Sequence, residues 1–263
     1  MRYKCTVSYD GSGFYGFQRQ KNQRSVQEEL ERAISIITKT KVNIFASGRT
    51  DAGVHAIGQV FHFDTYLILK ENTLKITINR RLPRDIMITK VEKVTQAFHS
   101  RYTAQFKTYD FYFDIGEYDP LHQRYRYYYS EEVDIKKMIE ASKIFIGTHD
   151  FRSFAKNSGI VNKIRTIKSI DFYQEGSLYR VRFYGNGFLY NMIRIIMAML
   201  FEVGRGKITI KELKRRLEAK NRELAPKILP PNGLFLVSVE YPEEVHQMDP
   251  DDEKRVMFLN DFE

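Results

Sequence analysis

The sequence predicts an α+β fold, with a largely antiparallel sheet covered on one face by helices. Residues 2–9 alternate loosely and 106–115 cleanly with a period of two, and 59–64 and 85–94 also read as strands. Between the first two along the chain, apolar residues recur at helical spacing, most regularly at Val26, Leu30, Ala33, Ile34 and Ile37. The first half therefore reads β-α-β-α-β, and the second again mixes helices with strands, without a repeat at the residue level.

Each element has a local reason. Strand 2–9 runs into the turn Asp10-Gly-Ser-Gly, and Phe14-Tyr-Gly-Phe-Gln-Arg-Gln20 continues it as a segment at once aromatic, polar and basic. Such a segment suits an ordinary loop or a nucleic-acid contact. Ser25-Val-Gln-Glu28 is a capping box opening the first helix. A short apolar run, 42–45, precedes a glycine-bearing turn and strand 59–64. A second helix is expected over 69–80, broken by Leu82-Pro83. Residues 97–105 form a connector holding His99 and Arg101. Beyond it come strand 106–115, with Tyr109, Phe111 and Phe113 on one face, and an aromatic strand over 125–129. A helix over 134–146, a loop over 149–154, a hairpin of strands 164–173 and 178–184, helices over 187–203 and 210–220, and a strand over 234–241 complete the chain. The connector divides this into halves at 1–104 and 105–242, followed by an acidic tail, 243–263.

Charge narrows the partners. The chain carries a formal +9, but the tail is strongly acidic, so residues 1–242 carry about +15. With 17 tyrosines and 19 phenylalanines, a body that basic suits a polyanion, most commonly nucleic acid. A single cysteine, Cys5, excludes an intramolecular disulfide and a cysteine-based metal site. The first residues have no signal-peptide apolar core, and the most apolar stretch, 188–201, is too short to span a bilayer. The expectation is a cytoplasmic protein without a membrane partner.

Chemistry concentrates in Ser47-Gly-Arg-Thr-Asp-Ala-Gly-Val-His-Ala56. Two glycines free the backbone, and Arg49 and Asp51 lie two positions apart between them. The plain reading is a tight turn with a solvated arginine; the functional one is a carboxylate that acts as nucleophile, proton acceptor or electrostatic stabiliser. Arg194 falls in a helix that is apolar nearly all round and so requires an anionic partner. Asp51 is the favoured one, with another acid or an escape to solvent as the alternatives. That choice predicts a cluster of Asp51, Arg49 and Arg194 in a cleft between the halves. Tyr109 reads either as core or as a platform for a flipped base. No second carboxylate stands at a comparable turn, His55 and His62 make a poor metal pair, and no phosphate-binding glycine motif or nucleophile elbow occurs. No metal and no cofactor are expected.

Gly48-Arg-Thr-Asp-Ala-Gly-Val-His-Ala56 resembles the signature of the TruA-type tRNA pseudouridine synthase family. The likeness extends through Tyr9-Asp-Gly-Ser-Gly-Phe-Tyr-Gly-Phe-Gln-Arg-Gln20, Leu82-Pro-Arg-Asp-Ile86, Phe98-His-Ser-Arg101, Lys107-Thr-Tyr109, Gly187-Phe-Leu-Tyr-Asn-Met-Ile-Arg194 and Pro230-Pro-Asn-Gly-Leu234, in the family's order over residues 2–242. The resemblance implies two ferredoxin-like (RRM-like) halves with a joined sheet and an active cleft between them. It implies Asp51 as essential catalytic carboxylate, Arg49 and Arg194 as basic residues near it, Tyr109 stacked on the target uracil, and Leu234 beside that base. The implied reaction isomerises uridine to pseudouridine in the anticodon stem-loop of tRNA, positions 38 to 40, by a homodimer using no metal or cofactor. Lys107 and Asp110 depart from the family, which more often has arginine there, and Ile228-Leu229 replaces small residues.

Overall fold

The computed structural model describes residues 1–156 and 161–243; the acidic tail, apart from Glu243, lies outside the described residues. The chain divides into two compact units, Met1–Gln105 together with the chain from Val237 on, and Phe106–Leu236.

The first unit begins with β1 (Arg2–Tyr9), whose inward positions Tyr3, Cys5, Val7 and Tyr9 are buried in strict alternation. Helix α1 (Val26–Thr38) starts as the capping box requires, with Ser25 Oγ accepting the Glu28 N–H, and buries Val26, Leu30, Ala33 and Ile34. Next come β2 (Phe45–Ala46), β3 (His55–Asp64), α2 (Glu71–Asn79) and β4 (Ile86–Val94). Strand β1 pairs antiparallel with both β3 and β4, and β2 pairs antiparallel with β3. Helix α2 lies against β4 and beside α1. Asn79 fastens α2 to the sheet, its amide giving and receiving one bond each with the Ile88 backbone at 2.9 and 2.7 Å.

Two expectations are corrected in this unit. Strand β3 starts at His55, within the stretch read as a turn, because Tyr9 pairs with Ala56 and Ser8 Oγ donates to the Ala56 carbonyl at 3.1 Å. The sheet is also covered beyond one face: Val60, Val94 and Phe98 form a small core with Val239 and Tyr241.

The second unit contains β5 (Phe106–Asp114), β6 (Tyr127–Tyr128), α3 (Ile135–Ser142), β7 (Gly147–Asp150), β8 (Ile164–Glu175), β9 (Leu178–Gly185), α4 (Met192–Gly204), α5 (Ile210–Glu218) and the opening residues of β10 (Leu234–Glu240). Its strands run β10-β5-β9-β8-β7, with the β5, β9, β8 and β7 pairings antiparallel. The fold is thus mixed α+β, with mostly antiparallel sheet and five α-helices among the described residues. Helix α4 is buried almost all round, with α3 and α5 against it.

Here too the elements differ in detail. Residues 125–129 supply only the two-residue β6, parallel to β5, because Tyr127 and Tyr129 pack on Phe201 instead of continuing a ladder, Tyr129 stacking on it at 4.2 Å. The loop expected over 149–154 opens as the edge strand β7. Helix α4 begins at Met192, five residues later than its apolar pattern suggests, because Asn191 takes a left-handed conformation (φ 60°) immediately before it. No helix among the described residues is long and apolar enough to cross a membrane.

Candidate active site

The Asp51 loop joins β2 to β3 within the first unit, and its backbone is held from three sides. At the entry, Ser47 Oγ donates to Gln59 Oε1 at 2.6 Å, Gln59 Nε2 donates to the Gly48 carbonyl at 3.0 Å, and the Ser47 N–H reaches the Val60 carbonyl at 2.8 Å. Beneath, the buried Tyr9 phenol shares a 2.8 Å hydrogen bond with Thr50 Oγ1. Burial pushes that phenol's pKa well above its ordinary value, so it stays protonated. Alongside, the Phe17 N–H donates to the Thr50 carbonyl and the Gly53 N–H to the Phe14 carbonyl, while Val54 N–H closes a turn onto the Asp51 carbonyl.

These contacts need the glycines of the Asp10–Phe17 segment. A Cβ on Gly11 would lie 2.1 Å from the Val54 carbonyl oxygen, and one on Gly16, whose φ is +96°, 2.9 Å from that of Thr50. The segment read as a loop or a nucleic-acid contact is therefore the bed of the Asp51 loop. His55 completes it: buried, it accepts the Gly11 N–H on Nδ1 at 3.0 Å, with Asp10 Oδ1 3.2 Å away. Thr50 thus turns inward, Asp51 is half-buried and Arg49 is exposed. Among the described residues no group of three or more His, Cys, Asp or Glu side chains is arranged to hold a metal ion.

In the second unit Tyr109 sits on β5 opposite Phe183 of β9 and meets Phe188 edge to face at 5.2 Å; it is 9 % exposed. Its neighbour Asp110 forms a two-pronged ion pair with Arg182, both bonds 2.8 Å, so this acid is matched by a cation across the sheet. Leu234, buried, opens β10. The turn before it is pressed onto β5: Tyr112 N–H donates to the Gly233 carbonyl at 2.8 Å, and a Cβ on Gly233 would lie 2.3 Å from the Tyr112 oxygen.

Arg194 lies in the first turn of α4, where the helix dipole disfavours a cation. Its guanidinium is aimed by acceptors on its own unit: Nη1 donates to Asn191 Oδ1 at 2.8 Å and Nε to the Leu229 carbonyl at 2.7 Å. Sequence reasoning singled out Arg194 but not these two partners, nor Tyr9 and Gln59. Asn191 carried a signal, since a polar residue entering an apolar helix is a candidate cap.

The tRNA pseudouridine synthase family model matches residues 6–103 and 141–242. The chain belongs to that family. Proteins named tRNA pseudouridine synthase A are similar over nearly their whole length. The one from Oceanobacillus iheyensis is 47% identical over 247 residues, covering 92% of this chain and 97% of its own. That from Anoxybacillus flavithermus is 45% identical over 242 residues, covering 91% and 98%, and that from Bacillus subtilis 42% identical over 245, covering 92% and 99%. Membership of the family makes the protein an isomerase. The matched segments contain Arg49, Asp51, Arg194 and Leu234, whereas Tyr109 falls in the interval between them.

Proposed function

We propose that the protein converts uridine to pseudouridine in the anticodon stem-loop of tRNA, at positions 38 to 40, with Asp51 as the essential carboxylate. The observation that carries this reading is a half-buried Asp51 on a loop whose backbone is fastened by Tyr9, Phe14, Phe17 and Gln59. Such fastening holds a reacting carboxylate in one orientation, so that little reorganisation remains at the moment of reaction.

The conversion breaks the N1–C1′ bond, turns the freed uracil, joins C5 to C1′, and moves the C5 proton away while N1 gains one. The sum is an isomerisation: no electrons leave and no atoms are added. The uridine must first leave its stack, a cost of a few kcal/mol that aromatic packing and cations along the backbone offset. In this reading Asp51 either attacks the sugar or base or removes a sugar proton. Arg49 and Arg194 favour the ionised carboxylate, Tyr109 stacks on the uracil and is positioned by role to take the C5 proton, and Leu234 packs beside the base.

The same reading takes each unit as ferredoxin-like, which the strand order β4-β1-β3 with β2 on β3, and β10-β5-β9-β8, supports. It takes the working form as a cytoplasmic homodimer that needs neither metal nor cofactor. The test is incubation of the purified protein with unmodified tRNA transcript and mapping of pseudouridine. Product at positions 38 to 40 from the wild type, and none from Asp51→Ala that still binds tRNA, is the expected result. An inactive wild type, or an active Asp51→Ala, would overturn the reading.

A further inference from the structure

The segment Phe98-His-Ser-Arg-Tyr-Thr103 follows β4 and takes no part in the chemistry proposed above, yet nearly every residue in it is tied down. His99 Nδ1 accepts the N–H groups of Arg101 and Tyr102 at 3.2 and 3.3 Å. Thr103 closes the turn: its Oγ1 accepts the His99 N–H at 3.2 Å and donates to the His99 carbonyl at 2.7 Å. Ser100 N–H reaches His62 Nδ1 at 3.2 Å, its hydroxyl donates to the Phe45 carbonyl, and its own carbonyl accepts Tyr241 Oη at 2.7 Å. Arg2 Nη1 holds the Phe98 carbonyl at 2.8 Å.

What this framework displays is a guanidinium and a flat ring. Tyr102 is 78% exposed, one face resting on His99 at 4.3 Å between centroids. Arg101 is exposed, and among the described residues its side chain forms no ion pair. Behind them Phe45, half exposed, stacks on His62 at 5.2 Å, six residues before Asp51 in the chain. A connector that had only to reach the next strand would not require so many bonds to hold a tyrosine in solvent.

We infer that this loop is a second contact for the RNA substrate, Arg101 taking a backbone phosphate and Tyr102 stacking on a base other than the one isomerised. The occupant follows from charge and shape: a body of about +15 presents an unneutralised guanidinium beside an open aromatic face, which suits a polyanion with stackable bases. The inference rests on the reading of tRNA as substrate.

The test compares Arg101→Gln, Tyr102→Ala and Tyr102→Phe in tRNA binding by gel shift and in pseudouridine formation. Stability to urea should be unaltered in all three. Tyr102→Ala should weaken binding roughly five- to a hundredfold, mainly through KM, and Tyr102→Phe should restore it. Arg101→Gln should lower the slope of log affinity against log salt by about 0.7 to 0.9, which Tyr102→Ala should not. An active wild type with binding unchanged in Tyr102→Ala and Arg101→Gln sinks the inference alone. A shift in self-association with tRNA binding intact also sinks it, and assigns the loop to contact between copies of the chain. A wild type that makes no pseudouridine sinks the reading of the function instead, while the gel shift still reports on the loop.

Discussion

Tyr9 and Thr50, forty-one residues apart, meet through their hydroxyls at 2.8 Å in a buried position directly beneath Asp51. Neither side chain was a candidate in the sequence, yet this bond determines which way the residue before the carboxylate faces. Tyr9→Phe leaves Thr50 Oγ1 buried without that partner, a loss of about 1 to 3 kcal/mol. The expected outcome is a fall in kcat larger than any rise in KM, with a lower urea midpoint. Thr50→Val should act similarly. The double variant should cost less than the sum of the two, since both remove one interaction.

Gly16 and Gly176 both have positive φ, but only Gly16 faces the Asp51 loop. A Cβ at Gly176 meets nothing within 4 Å, so Gly176→Ala should cost only the backbone strain, about 1 kcal/mol. Gly16→Ala adds a 2.9 Å approach to the Thr50 carbonyl and a 3.2 Å approach to the Ala52 nitrogen. It should destabilise by about 2 kcal/mol or more and depress activity out of proportion to that loss. Thermal unfolding and kcat on the two variants separate strain from displacement of the loop.

How much of this could be read beforehand follows the range of the interactions. Strands β1, β4, β5, β8 and β9 and helices α1, α2 and α5 carry their pattern locally, in alternation, capping and spacing, and were placed within a few residues. The Asp51 stretch stood out for the same reason, because Arg49, Asp51 and the two flanking glycines lie within a few consecutive residues. The bed beneath it did not, since nothing in Asp10–Phe17 says that its glycines face Thr50 and Val54 in particular. The strand expected over 125–129 failed because aromatic residues favour a ladder and a core alike, and Phe201 offered a core. Helix α4 began late because apolar periodicity does not register a left-handed Asn191.

The position of Arg194 makes its own prediction. In the first turn of α4 its fork spans Asn191 Oδ1 and the Leu229 carbonyl, a pair of directions that a lysine ammonium cannot reproduce with the same rigidity. Arg194→Lys should therefore lose most of its activity while costing about 1 to 2 kcal/mol in stability. Asn191→Ala should lower activity less than Arg194→Lys and be destabilising as well, because alanine resists the left-handed backbone there. Kinetics on both, with urea unfolding as the control, distinguish aiming of the guanidinium from support of the helix start.

The last prediction concerns His62, 1 % exposed on β3 and holding Ser100. Burial first, then the nearby Arg2 and His99, lower its pKa from 6.5 to about 4, against a smaller upward pull from Asp64. Above pH 6.5 the ring is neutral folded and unfolded, and its contribution to stability is complete. As pH falls from 6.5 towards 4 the unfolded chain takes up a proton that the native ring refuses, so stability is lost through that window, on the order of 3 kcal/mol in all. His62→Gln removes the titration while keeping a group able to bond Ser100. It should be less stable than the wild type at pH 7.5 and close that gap as pH is lowered to 4.5, in urea titrations at matched ionic strength. A gap that stays constant across those pH values would show that the ring is not held neutral by its surroundings.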